Sequence, residues 1–147
     1  MEKDMTLPIN AESYDYKYTK TLNEDVNLVS NTYGKFDLNM DNGDYVNVTG
    51  VDSLENACII AIMTRYNELK IPTYTGFGCK VHDLIKGNKH RLLKFKIETS
   101  ITEVLENMRR IKKINWLKIT EDDTRSYKVV FNVTSINDEI VQSEMVL

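Results

Sequence analysis

With 147 residues, of which 41% are hydrophobic and 28% charged, the chain is long enough for one domain with a real core and has an ordinary globular balance. Its 22 acidic residues against 19 basic ones leave a net charge of −3, which excludes a general nucleic-acid binder while leaving room for a local basic patch. Cys58 and Cys79 are too few for a disulfide framework, and with His82 and His90 as the only histidines no zinc set is completed, so both thiols are expected reduced and structural, with no metal or cofactor.

The polar N-terminus is followed by no stretch of signal-peptide type, and the longest apolar run, 57–63, falls far short of a membrane span. A cytosolic origin and no membrane partner are therefore expected. Residues 1–32 are rich in Asn, Asp, Glu, Lys, Ser and Thr, with spaced tyrosines Tyr14, Tyr16 and Tyr18 and few apolar anchors. Such a segment cannot build a core and reads as an extended polar arm that orders against a partner, ahead of a domain over 33–147. Phe36, Leu38 and Met40 alternate with polar residues and lead through Asn42-Gly43 to Tyr45, Val46 and Val48, the pattern of a β-hairpin.

Asp52-Ser53-Leu54-Glu55 has the form of a capped helix start, with a helix running on to Leu69. Its apolar residues cover most of its surface, so it is expected to be the central core element. Pro72 ends it, and Gly76-Phe77-Gly78 reads as a loop needing unusual backbone angles. A short helical turn over 81–85 is closed by Gly87. A second long helix is expected over 90–110, with Leu93, Ile97, Ile101, Val104, Leu105, Met108 and Ile111 on one stripe. Three strands follow: one opening at Ile114, one with Tyr127, Val129, Phe131 and Val133 alternating, and one over 140–147. The fold class is α+β, an arm and hairpin, two main helices, and a three-stranded antiparallel meander.

Several constellations imitate chemistry. Asp37-x-Asn39-x-Asp41 has the spacing of a calcium loop, but Gly43 comes one place late and Val48 stands where a bidentate Glu is required. Glu98, Glu103 and Glu106, or Glu121 with Asp122 and Asp123, lie on a polar helix face and in a turn. Neither place desolvates an acid as glycosidase chemistry demands. No nucleophile elbow or phosphate loop is present. The chain reads as a non-enzyme.

Two surfaces stand out instead. Arg109, Arg110, Ile111 and Lys112, followed by Lys113, form a basic cluster expected at the end of the long helix. There they would complement its dipole or pair with acids of a partner. Ile140, Val141, Met145, Val146 and Leu147 run to the chain end with no charged residue after Glu144, an edge strand suited to pairing with another chain. Removing 141–147 is expected to leave the rest folded. A small cytosolic adaptor or nucleic-acid-binding module using the basic cluster is the alternative reading.

From Gly43 onward the chain resembles the lysozyme-like baseplate wedge family, the sheath initiators of contractile phage tails, tailocins and type VI secretion systems. The resemblance lies in the apolar helix over 57–69, the Pro/Gly loop with Phe77-Gly78, Leu84, the long helix ending at Arg110-Ile111, and the Trp116-containing meander. The family often shows Glu-Pro-Arg-Ile at that helix end; here Met108-Arg109-Arg110-Ile111 stands there, so Arg110 and Ile111 carry over. The resemblance implies a structural baseplate part of a virion or phage-tail-like particle, assembled in the bacterial host cytoplasm. It implies about six copies around the tail tube. They would bind wedge proteins near Arg110 and offer terminal strands to sheath subunits. The N-terminal arm lies outside the resemblance and is expected, separately, to reach tail tube or hub proteins.

Overall fold

A computed structural model describes residues 24–30, 35–72, 76–87, 90–122 and 126–147. Tyr14, Tyr16 and Tyr18 of the expected arm lie outside them. Asn42 and Gly43 adopt φ of 51° and 83°, the left-handed pair that a two-residue hairpin turn demands, and join β4 (Met40–Asp41) to β5 (Asp44–Tyr45). The rest of the expected hairpin is divided differently. β3 (Phe36–Leu38) pairs with β2 (Leu28–Ser30), and β6 (Asn47–Thr49) pairs with β1 (Glu24–Val26). The described part of the segment read as an arm, 24–30, thus supplies two strands.

Three backbone hydrogen bonds knit these ladders at one point. Asn27 N–H donates to the Val46 carbonyl (2.7 Å), Asn39 N–H to that of Asn27 (2.8 Å), and Val46 N–H to that of Asn39 (3.0 Å). Alternation alone could not foresee this, because it marks strands without naming their partners.

Helix α1 (Gly50–Met63) starts before Asp52, and its N-cap Thr49 makes no side-chain cap bond, so the expected Asp52–Glu55 capping box does not form. It also stops six residues before Leu69. Thr64 turns extended, and a long-range pairing takes over: Cys79 N–H donates to the Thr64 carbonyl (2.8 Å), Tyr66 N–H to Cys79 (3.1 Å) and Asn67 N–H to Phe77 (2.9 Å). Those bonds replace the ones a longer helix would make, and Tyr66 and Leu69 stay exposed. Within α1, Leu54, Cys58, Ile59, Ala61 and Ile62 are buried, and Asn56 Nδ2 donates to the Val26 carbonyl (2.7 Å), tying the helix to β1.

The short helix α2 (Val81–Lys86) closes at Gly87 as read from the sequence. Helix α3 (Leu93–Glu106) is shorter at both ends than expected, yet Leu93, Ile97, Ile101 and Leu105 form the buried stripe. The meander is antiparallel in the order β7 (Ile111–Glu121), β8 (Tyr127–Ser135), β9 (Ile140–Val146). In β8, Tyr127, Val129, Phe131 and Val133 are all buried, giving the central strand the alternation read from its sequence. Helix α1 packs over β9 and α3 over β7, enclosing one core around Phe131.

A Cβ at Gly78, where φ is +103°, would sit 2.4 Å from the Arg65 carbonyl oxygen, whereas one at Gly43 meets nothing within 4 Å. Gly78→Ala should therefore cost more than about 3 kcal/mol in urea unfolding, and Gly43→Ala only about 1 kcal/mol.

Burial also pushes the Cys58 thiol from its ordinary 9.0 up to about 12, against a smaller opposing pull from the Arg110 guanidinium, and raises the Cys79 thiol too. Above pH 9 the unfolded chain gives up these protons while the folded one keeps them. Their contribution to stability is therefore whole below pH 9 and is lost as pH climbs toward 12. Native protein should resist iodoacetamide at pH about 8, with both thiols reacting fully in denaturant.

Candidate functional site

Among the described residues, β9 has a neighbour on one side only, and the phase of the β8–β9 ladder says which residues turn their backbone to the other side. Tyr127 and Leu147 exchange both backbone bonds (3.1 and 2.8 Å), and Ser135 N–H donates to the Glu139 carbonyl (2.8 Å). In an antiparallel pair such residues alternate. With the observed register, Val141, Ser143 and Met145 also bond to β8. Ile140, Gln142, Glu144 and Val146 then direct N–H and C=O away from it, and no described strand pairs with them.

Side chains follow the same alternation. Val141 and Met145 are 1% and 3% exposed, while Ile140 and Val146 are 65% and 37% exposed. Of the residues read as an edge, Val141 and Met145 thus belong to the core through their side chains. Removing 141–147 would strip both from it, contrary to the expectation that the rest would stay folded. A cleft of about 400 Å³ runs beside the middle of this edge, walled by Leu28, Ser30, Phe36, Asp52 and Glu55.

The basic cluster is not at a helix end. Helix α3 finishes at Glu106, Ile111 N–H donates to the Met108 carbonyl (3.1 Å), and Ile111 and Lys112 already belong to β7. The helix-dipole account of these bases therefore loses its footing. The Arg110 carbonyl accepts the Ile136 N–H (3.0 Å), and Lys112 Nζ meets Asp138 Oδ1 at 2.5 Å, so this corner is fastened to the β8–β9 turn. Ile111 is partly buried against the core.

Arg109, exposed, and Arg110, half-buried, line a cleft of about 770 Å³ with Tyr66, Phe77, Lys80 and Glu103. Lys80 Nζ lies 4.9 Å from the Tyr66 ring centre, a cation–π contact that stiffens the opposite wall. That wall was not recognised from the sequence. The Phe77-Gly78 pair was its one visible signal, since a positive-φ glycine lets the loop press against Arg65.

Register places the corner and the start of β9 at the same end of the sheet, with Ile111 opposite Ser135 and Ile140 opposite Thr134. The far end of β9 lies roughly 20 Å away at a strand's rise per residue. Glu98, Glu103, Glu106, Glu121 and Asp122 are all exposed, so none has the desolvation an acid catalyst needs. Among the described residues no group of three potential ligands could hold a metal ion.

The model of the contractile injection system sheath initiator family matches residues 25–138, from β1 to the turn before β9. No curated protein matches the chain. Since the family match spans well over half of the sequence and the fold carries the expected α+β core and meander, the chain belongs to the contractile injection system sheath initiators, structural components of phage tails and tail-like particles that act with sheath and baseplate neighbours.

Proposed function

We propose that this chain is a non-enzymatic baseplate subunit that starts sheath assembly by offering the free edge of β9 to a strand of a sheath subunit. The supporting observation is the ladder phase. Ile140, Gln142, Glu144 and Val146 hold their backbone groups outward while their neighbours anchor the strand to β8 and to the core. Each added backbone hydrogen bond contributes about 1 kcal/mol net, so several in a row give a joint that is firm yet hinged. Such a joint tolerates rotation of the sheath during contraction.

In the same proposal the corner of Arg109, Arg110, Ile111 and Lys112 binds wedge proteins, with the cleft beneath it receiving their side chains. The segment preceding β1, part of the arm over 1–32 set ahead of the 33–147 domain, reaches tail tube or hub proteins. About six copies encircle the tube in a closed ring. The particle is assembled in the bacterial host cytoplasm.

Proline substitution at outward-facing positions tests the strand joint more cleanly than truncation. Gln142→Pro or Glu144→Pro removes a donor that points away from β8 and leaves the internal ladder whole. Each should lower unfolding stability by about 1 kcal/mol or less yet reduce sheath nucleation on isolated baseplates by on the order of tenfold or more, counted by electron microscopy. Normal sheath length and number on both variants would sink the joint.

Arg110→Glu tests the corner independently. It should reduce co-purification with the wedge by on the order of tenfold while the sheath-binding edge stays intact. Wedge binding unchanged at physiological salt would remove that assignment.

A further inference from the structure

A second stretch, besides the Arg109–Lys113 cluster, gathers cations without acids. Between residues 84 and 97 the sequence holds Lys86, Lys89, Arg91, Lys94 and Lys96 and not one Asp or Glu, in a chain whose net charge is −3. Lys86, His90, Arg91, Lys94 and Lys96 are all exposed, while Lys89 lies outside the described residues. The acid before this stretch, Asp83, is held by Arg65 at 3.4 Å, and the ion pairs among the described residues leave these cations out. They gather at the start of α3, which has no acid in its first turn and no side-chain cap. Cations at that positive end of a helix are each unfavourable.

In the same turn, Leu92 and Phe95 are 59% and 66% exposed. Three residues apart, they share a face of the helix turned away from buried Leu93 and Ile97. Exposed large hydrophobics ringed by unpaired cations are costly in a free monomer and are relieved together by one kind of neighbour.

We infer that the first turn of α3, with Leu92 and Phe95 at its centre and Arg91, Lys94 and Lys96 around them, docks an acidic protein surface that presents an apolar side chain. This contact is separate from the Arg109–Lys112 corner, which follows the other end of the 14-residue helix α3, about 20 Å along its axis, and from the β9 edge, because α3 packs over β7, the strand at the other edge of the sheet. A protein occupant fits better than a phosphate backbone, because phosphates would neutralise the cations yet leave the exposed Leu92 and Phe95 between them uncovered. It fits better than a lipid surface because two hydrophobic side chains in one turn are too little apolar area to hold an interface-lying helix. An Arg- and Phe-containing patch rimmed by charge is also the composition of a contact centre between proteins.

Photo-crosslinking in the assembled particle tests this directly. Phe95→p-benzoylphenylalanine, irradiated in purified particles and read by mass spectrometry, should join the chain to a protein segment rich in Asp and Glu. Crosslinks to lipid, to nucleic acid or to a segment without acids would overturn the inference, as would no crosslink at all. In parallel, Lys94→Glu with Lys96→Glu should leave thermal unfolding unchanged or slightly raised, since both side chains are exposed and acids suit the positive end of a helix, and lower incorporation into particles by on the order of tenfold. Incorporation at the unaltered level would equally overturn it. Neither readout depends on the β9 joint, so a failure here is distinct from a failure of sheath nucleation.

Discussion

Strand β8 has two sides, and the division of those two sides determines what the molecule can offer to others. One side carries the ladder to β7 and the other the ladder to β9. Along β9 the residues that spend their backbone groups on β8 are the ones that bury side chains, Val141, Ser143 and Met145. Their neighbours expose side chains and keep backbone groups for the outside. Anchoring and outward exposure are thus assigned to alternate residues of a single strand, a direct consequence of the two-residue period of the pleat. Met145 and Val141 hold β9 against α1, so the edge is rigid, and a rigid edge loses less conformational entropy when another strand adds to it.

The elements legible in the sequence were those whose partners lie close along the chain or whose pattern is strongly periodic. The Asn42-Gly43 turn, the stripe of Leu93, Ile97, Ile101 and Leu105, and the alternation from Tyr127 to Val133 needed no knowledge of distant contacts. What could not be read was decided at long range. Helix α1 stops at Met63 because Thr64, Tyr66 and Asn67 bond with residues 77–79, and nothing in the local pattern of Tyr66 and Leu69 announces that exchange. The ladders β1–β6 and β2–β3 arise in the same way, from residues 24–30 returning to strands that looked ready to pair with each other.

The candidate surfaces divide along the same line. That residues 140–147 form a strand is plain in the letters, and the structure sets it at a sheet edge. The basic cluster was also plain, but its setting was misjudged by four residues of helix. Asn107 ends α3, so Lys112 enters β7 and finds Asp138 within the chain. The wall of Tyr66, Phe77 and Lys80 facing Arg110 is formed by the loop that cuts α1 short, so missing the one meant missing the other.

The family match ends at Asp138, and β9 begins two residues later. The strand on which the proposed sheath joint rests therefore draws its support from the ladder and the core. The link between the matched region and that strand is itself physical: Ile136 N–H to the Arg110 carbonyl, Lys112 to Asp138, and Ser135 N–H to the Glu139 carbonyl bind the corner, the turn and the start of β9 into one piece. The exposed Lys112–Asp138 pair adds little stability by itself. The backbone bonds at 3.0 and 2.8 Å hold the geometry. In the proposed arrangement, a neighbour seated on the corner would thereby fix the direction in which β9 leaves the turn, and hand the orientation of that contact on to the strand that follows.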